Sequence, residues 1–191
     1  MNIVVCMKQV PDTEAQIRVK PDGSGIVEND IKFVMNPYDE FGVEEALLIK
    51  EKLGGTVTIV CLGPDRAIDA IRTGLAMGAD KAVHLLDPAF DGGDAISTAK
   101  ALAAAIKGME CDLIFCGKQA IDDDGAMVGS VLAEMLDIPQ VSIVIKVEVA
   151  DDGKSAKVNR QILGGEDILE VPFPAVLSTQ KGLSEPRYAS V

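Results

Sequence analysis

Short continuous apolar runs alternate along this chain with longer stretches in which apolar residues return every third or fourth position. Runs of the first kind suit strands buried on both faces, and stretches of the second suit helices with one face on a core. Asn2 to Met7 opens the series as an apolar β-type run. Residues 17–20 and 26–27 flank Pro21-Asp22-Gly23-Ser24-Gly25 and read as a small hairpin. At Asn36-Pro37 a helix is predicted. Asn caps well, and Pro suits the first helical position, where its missing N–H would have had no partner. Gly42, Ala46, Ile49 and Leu53 then form a stripe that Val43 and Leu47 broaden, and Glu44, Glu45, Lys50, Glu51 and Lys52 are assigned to the solvated side. Gly54-Gly55 closes the helix.

The same alternation continues. A strand is predicted over 56–62, a helix over 65–77, a strand carrying His84 over 81–86, and a helix capped by Asp94 with Ala95, Ala99, Leu102 and Ile106 on its stripe. A strand follows over 111–116 and a helix over 125–136. This order predicts an α/β fold: one mostly parallel, Rossmann-like sheet with helices on both faces, whose right-handed crossovers bring the strand C-termini to one edge. After Pro139 the texture changes to alternating or apolar runs over 141–149, 154–162, 168–171 and 175–179, separated by Asp151-Asp152-Gly153 and Gly164-Gly165-Glu166. These read as C-terminal β-hairpins extending the same sheet, so residues 1–191 are expected to form a single nucleotide-binding domain. The polar tail 184–191 carries no further element.

Composition narrows the function. With aromatics at 4% and no Trp, the core has to be built from Val, Ile, Leu and Ala. The net charge of −12 repels nucleic acid and anionic lipid, which argues against binding either. No stretch approaches the roughly 18 apolar residues that cross a bilayer, and the N-terminus lacks the pattern of a secretion signal. A soluble, cytoplasmic protein is expected. Cys6, Cys61, Cys111 and Cys116 sit in or beside apolar runs without CxxC spacing, and read as buried reduced thiols rather than a metal site or a disulfide framework.

In an open parallel sheet, ligands bind beyond the strand C-termini. The segments at that edge are 6–9, 62–64 and Gly117-Lys118-Gln119-Ala120-Ile121-Asp122-Asp123-Asp124-Gly125, with Asn36-Pro37-Tyr38-Asp39 able to fold over the same crevice. The 117–125 segment joins a strand end to a helix start, where free N–H groups suit a phosphate. The plainer reading, a capped and solvated helix start, stands level with it. The acidic triplet repels a phosphate from its own side chains, leaving backbone N–H groups further into the turn. Gly125 and Gly129 would allow close approach. Neither G-x-G-x-x-G after the first strand nor a P-loop is present, and no catalytic constellation appears around His84 or the cysteines. Lys8 follows a strand end and reads more readily as a surface lysine than as a ligand contact.

Several segments in order resemble the electron transfer flavoprotein β-subunit family: Val5-Cys6-Met7-Lys8-Gln9-Val10-Pro11-Asp12, Ile17-Arg18-Val19-Lys20-Pro21-Asp22, Met35-Asn36-Pro37-Tyr38-Asp39 with Val43-Glu44-Glu45-Ala46, Ile71-Arg72-Thr73, Ala76-Met77-Gly78-Ala79-Asp80, the 117–124 segment, and Glu185-Pro186-Arg187-Tyr188-Ala189. The resemblance covers essentially the whole chain. It implies a non-enzymatic electron-carrier subunit paired with a larger α subunit, which holds most of the site for an FAD that takes electrons from donor dehydrogenases. It also implies AMP in this chain's own edge crevice, against Cys6, Asn36, Pro37, Tyr38, Asp39, Leu62 and the segment Gly117 to Gly125 with Ala126, Met127 and Val128.

Three departures from the family pattern follow. Ala126, Met127 and Val128 replace amide and hydroxyl side chains, leaving backbone contacts to the phosphate. Together with Gly129 they also resemble the electron-bifurcating branch, which holds a second FAD in place of AMP. Leu163 stands where an acidic residue is usual. Family members continue past the position of Val191, so the C-terminal arm is expected to be absent and docking to partners affected. The rivals are a stand-alone adenine-nucleotide module and an adenylate-handling enzyme using Lys8 or Lys118.

Overall fold

The computed structural model describes residues 1–189; Ser190 and Val191, the end of the polar tail, lie outside the described residues. Ten strands and four α-helices follow one another: β1 Asn2–Met7, β2 Gln9–Pro11, β3 Phe33–Met35, α1 Pro37–Leu53, β4 Thr56–Leu62, α2 Ile68–Met77, β5 Lys81–Leu85, α3 Ala95–Ile106, β6 Leu113–Gly117, α4 Val128–Leu136, β7 Gln140–Val149, β8 Ser155–Ile162, β9 Gly165–Pro172 and β10 Ala175–Thr179. Eight strands form one sheet in the order β5-β4-β1-β6-β10-β7-β8-β9, and β2 pairs with β3 in a small second sheet. The strands from β5 through β7 are parallel to their neighbours, and β7-β8-β9 is an antiparallel meander.

Alternate side chains along each central strand serve two cores. Ile3, Val5 and Met7 of β1 join Val57, Ile59, Leu113 and Phe115 under α1 and α2. Val4 and Cys6 join Val60, Ile114 and Cys116 under α3 and α4. Both faces of the sheet are therefore covered, which is why these strands read as uninterrupted apolar runs. The chain winds from β1 outward through β4 and β5, then returns to the other side of β1 to lay down β6. That reversal puts a topological switch point between β1 and β6.

The α/β class holds, with five differences of detail. The 17–27 hairpin reduces to one antiparallel bridge, Val19 with Ile26. The fourth strand of the parallel set, β6, starts at Leu113 rather than Cys111. Residues 175–179 do not close a hairpin; β10 slots between β6 and β7, parallel to both. The helix expected from 125 begins at Val128, because Asp124 and Ala126, each at φ 51°, lie in the left-handed region and cannot continue a right-handed turn.

The fifth difference lies on α1. Glu44 and Glu45, assigned to solvent, are buried at 4% and 8% exposure. The C-terminal segment folds over this helix. Arg187 donates to Glu44 from Nε and Nη2 at 2.9 Å each and to Glu51 from Nη1 at 2.6 Å, and its backbone N–H adds a bond of 2.9 Å to Glu44. Periodicity within one helix cannot foresee a cover supplied from the far end of the chain. The tail that the pattern left without a role is thus an anchor.

Candidate functional site

Asn36 and Asp39, on the first turn of α1, tie together the ends of the two strands that flank the switch point. Asp39 Oδ2 accepts from the backbone N–H of Lys8, just past β1, at 2.7 Å. Asp39 Oδ1 accepts from Gly117 N at the end of β6 at 2.9 Å and from Asn36 Nδ2 at 3.0 Å. Contrary to the sequence expectation, Asn36 does not use its side chain to cap α1. Its Nδ2 instead donates to the carbonyl of Gln119 at 2.9 Å and its Oδ1 accepts from Ile121 N at 3.2 Å. The amide holds the start of the 117–127 loop by both of its edges.

Asp39 faces donors only, and burial pushes its carboxyl up to about 7, against the pull of the N–H groups of Lys8, Asn36 and Gly117 and the Lys8 charge. Gly117 is required by this arrangement. A Cβ there would land on Asp39 Oδ1, with Asn36 Nδ2 and Tyr38 Cβ both at 2.9 Å.

Beyond these strand ends opens a cavity of about 560 Å³, within the range of small-molecule and cofactor sites. Of the residues expected around a nucleotide, Cys6, Asn36, Asp39, Leu62, Gly117, Lys118, Gln119, Ala120, Asp123, Gly125, Ala126, Met127 and Val128 line it. The other five do not. Pro37 begins α1. The Tyr38 ring lies under Lys118 Nζ, 4.9 Å from its centroid, and the Tyr38 carbonyl accepts from Thr179 Oγ1 at 2.6 Å. Ile121 is held through its backbone by Asn36. Asp122 is drawn to Lys8, and Asp124 accepts from Gln119 Nε2 at 2.5 Å.

The acidic triplet is thereby held by partners, and of its members only Asp123 lines the cavity. Lys8 Nζ reaches Asp122 at 2.8 Å and Asp123 at 3.0 Å, so Lys8 closes the loop onto β1. Partial burial works against the Lys8 charge, but the two carboxylates hold the ammonium above its ordinary range. Asp123 also accepts from Gly125 N at 2.9 Å. The next amides are different. Among the described residues, the N–H groups of Ala126 through Ser130 have no protein acceptor, since the first bond into α4 from this turn is Val131 N to Met127 O. Of these residues Ala126, Met127 and Val128 line the cavity, bringing donors and the positive end of a helix dipole to it.

No neighbouring backbone approaches Gly129 closely: a Cβ there would meet Cys116 and Val176 side chains at 3.5 and 3.9 Å, ordinary packing of helix on sheet.

One wall was missed from the sequence. Leu86, Asp87, Pro88, Phe90, residues 91–94 and Ala95, with Thr98 and Leu102 of α3, line the side beneath the end of β5. The signal was available: the strand-end rule applies to β5 as to β1, β4 and β6, and 86–94 is a long Pro-, Gly- and Asp-rich connection. Here Asp87 accepts from Ala89 N at 2.9 Å, and Asp94 caps α3 through Ser97 N at 2.8 Å, as expected. Leu86 and Met127 stand half exposed at the rim. His84, on the edge strand β5, has Nε2 2.9 Å from the Gly63 carbonyl, a structural contact between β5 and the turn after β4.

The geometry agrees with what comparison finds. Residues 24–190 match the family model described as Electron transfer flavoprotein domain. Over the whole chain, identity reaches 47% with Electron transfer flavoprotein subunit beta of Thermoanaerobacterium thermosaccharolyticum, covering 72% of that relative. It is 46% with the protein of the same name from Clostridium acetobutylicum, covering 73% of it. It is 42% with Caffeyl-CoA reductase-Etf complex subunit CarD of Acetobacterium woodii, covering 72% of it. This chain belongs to the electron transfer flavoprotein family, as one of its β subunits: electron-carrier subunits associated with flavin and paired with an α subunit.

Proposed function

We propose that this subunit binds AMP in the cavity at the carboxyl edge of its sheet and, beside an α subunit that holds most of an FAD site, passes electrons from donor dehydrogenases to an acceptor. The observation that carries the nucleotide reading is the run of unpaired N–H groups of Ala126, Met127 and Val128, residues that line a cavity set on the switch point. Backbone donors need no side-chain help, so Ala126, Met127 and Val128 are compatible with a phosphate despite offering no hydroxyl or amide. The Lys8 contacts to Asp122 and Asp123 support the same reading by removing like charge from the phosphate's approach. Asn36 and Asp39 fix the loop's position, and Leu62 and Cys6 supply an apolar floor for adenine. When bound, flavin supplies the redox chemistry; this chain's residues position and shield.

A second reading has its own support. The additional wall from Leu86 to Ala95 lengthens the cavity and brings the start of α3 to it, and the apolar rim at Leu86 and Met127 suits a flat ring. This extension favours a dinucleotide, a second FAD, in place of AMP, as in a bifurcating subunit. Co-expression with the α subunit, heat release and chromatography separate the readings. One FAD with one AMP per heterodimer supports the first, and two FAD the second. A purified heterodimer carrying one FAD and no other adenine nucleotide would refute both.

A further inference from the structure

Of the four cysteines, two meet. Cys6 of β1 and Cys116 of β6 are register partners in adjacent parallel strands. Both project to the α3–α4 face, where they join the same buried cluster, and both line the cavity. Cys61 packs on the opposite face of the sheet, and Cys111 lies before the start of β6, five residues back along the chain from Cys116. All four are free thiols. A hydrogen bond to Cys116, then burial, holds the Cys6 thiol well above its ordinary value.

We propose that Cys6 and Cys116 form a redox-active dithiol on the cavity floor, closing reversibly to a disulfide between β1 and β6. Neighbouring strands lie about 4.8 Å apart, inside the roughly 4.4–6.8 Å window of Cα separations that a disulfide spans. In-register side chains on one face of a parallel ladder run side by side, whereas a disulfide wants its Cβ atoms about 3.8 Å apart. Closure therefore has to draw the strands together by about 1 Å, and a bond formed under such strain belongs to the easily reduced, regulatory class rather than the structural one. The cavity gives a small oxidant its route, because the strands are otherwise covered by α3 and α4.

With hydrogen peroxide as oxidant, one thiolate attacks a peroxide oxygen, forming the sulfenic acid and releasing hydroxide. The second thiol displaces the hydroxyl, leaving a disulfide; altogether two S–H bonds are exchanged for one S–S bond and peroxide becomes two waters. Because the attacking form is the thiolate, closure accelerates as pH rises.

That AMP shields the pair rests on the proposed nucleotide site, whereas the dithiol itself does not. The test uses the heterodimer freed of nucleotide, exposed to hydrogen peroxide and digested without reductant. The expected result is a cross-linked peptide pair containing Cys6 and Cys116, short by two hydrogens, regenerated by dithiothreitol, and absent from Cys6→Ala and Cys116→Ala. Saturating AMP, with binding checked by equilibrium dialysis, is expected to slow closure at least tenfold. Sulfinic acid on one cysteine with no cross-link, or a cross-link to Cys61 or Cys111, overturns the proposal. Closure unaffected by AMP that is demonstrably bound overturns the shielding, since the pair is then reached by another route, while the cross-link itself upholds the dithiol. If AMP fails to bind while the cross-link forms, the dithiol stands and the AMP reading falls.

Discussion

Replacing Asp39 with alanine removes the acceptor for two backbone N–H groups, those of Lys8 and Gly117, at the ends of the two strands beside the cavity. Asn36 Nδ2 keeps a partner in the Gln119 carbonyl. Leaving a buried N–H unsatisfied costs about 1–3 kcal/mol, so the pair costs about 2–6 kcal/mol. Against this stands the charge. The carboxyl titrates at about 7 in the folded chain and at 3.8 in the reference state. Between those values the unfolded chain has released its proton and the folded one retains it, so the contribution of Asp39 to stability is whole below the lower value and is lost as pH rises through the higher one. The full loss is about 4 kcal/mol, of which about 2 kcal/mol falls between pH 5.5 and pH 8.5. Urea unfolding of the wild type and of Asp39→Ala, followed by circular dichroism at both pH values, is expected to show a large deficit in the variant at pH 5.5 that shrinks by about 2 kcal/mol at pH 8.5. Asp39→Asn should show a smaller deficit than Asp39→Ala at pH 5.5, because an amide still accepts on one edge and leaves only one N–H group without a partner. A deficit below about 1 kcal/mol at pH 5.5 would show that the two N–H groups find other acceptors. A deficit constant across the range would refute the titration.

Four further outcomes are expected. Arg187→Ala strips the buried Glu44 carboxylate of its guanidinium partner and should cost about 2–4 kcal/mol in the same unfolding assay. Glu45→Gln should stabilise the chain by about 1–3 kcal/mol at pH 8.5 and change little near pH 5, since burial and then Glu44 push the Glu45 carboxyl up to about 7 and the amide carries no charge to bury. Ala126→Gly should raise stability by about 0.5–1 kcal/mol by relieving the left-handed backbone at φ 51°. Gly117→Ala should lower the affinity for AMP, measured by equilibrium dialysis on the heterodimer, as its Cβ displaces Asp39 and Asn36 and with them the loop they hold.

The parallel core was legible because its strands are buried on both faces: Thr56–Leu62 and the helix Pro37–Leu53 appear as the pattern predicts. The edge carrying the cavity was legible for the same reason, since strand order and crossover fix which loops gather there. Thirteen of the residues expected around a nucleotide, from Cys6 to Val128, do line one cavity. What failed to show in the pattern depends on partners distant in sequence. Glu44 looks solvated until Arg187 arrives from 143 residues away. The triplet Asp122-Asp123-Asp124 looks like a helix cap until Lys8 draws two of its members to β1.

Local propensity and hydrophobic period thus determined, from the sequence by itself, where the strands and helices run and which class of sheet they build. Only the tertiary structure decided that β10 enters between β6 and β7, that Asp39 and Gly117 share one contact, and that Cys6 and Cys116 stand side by side. The physical reason is that periodicity reports which face of an element is dry, but not which element dries it. That choice is made by contacts closed across the whole chain.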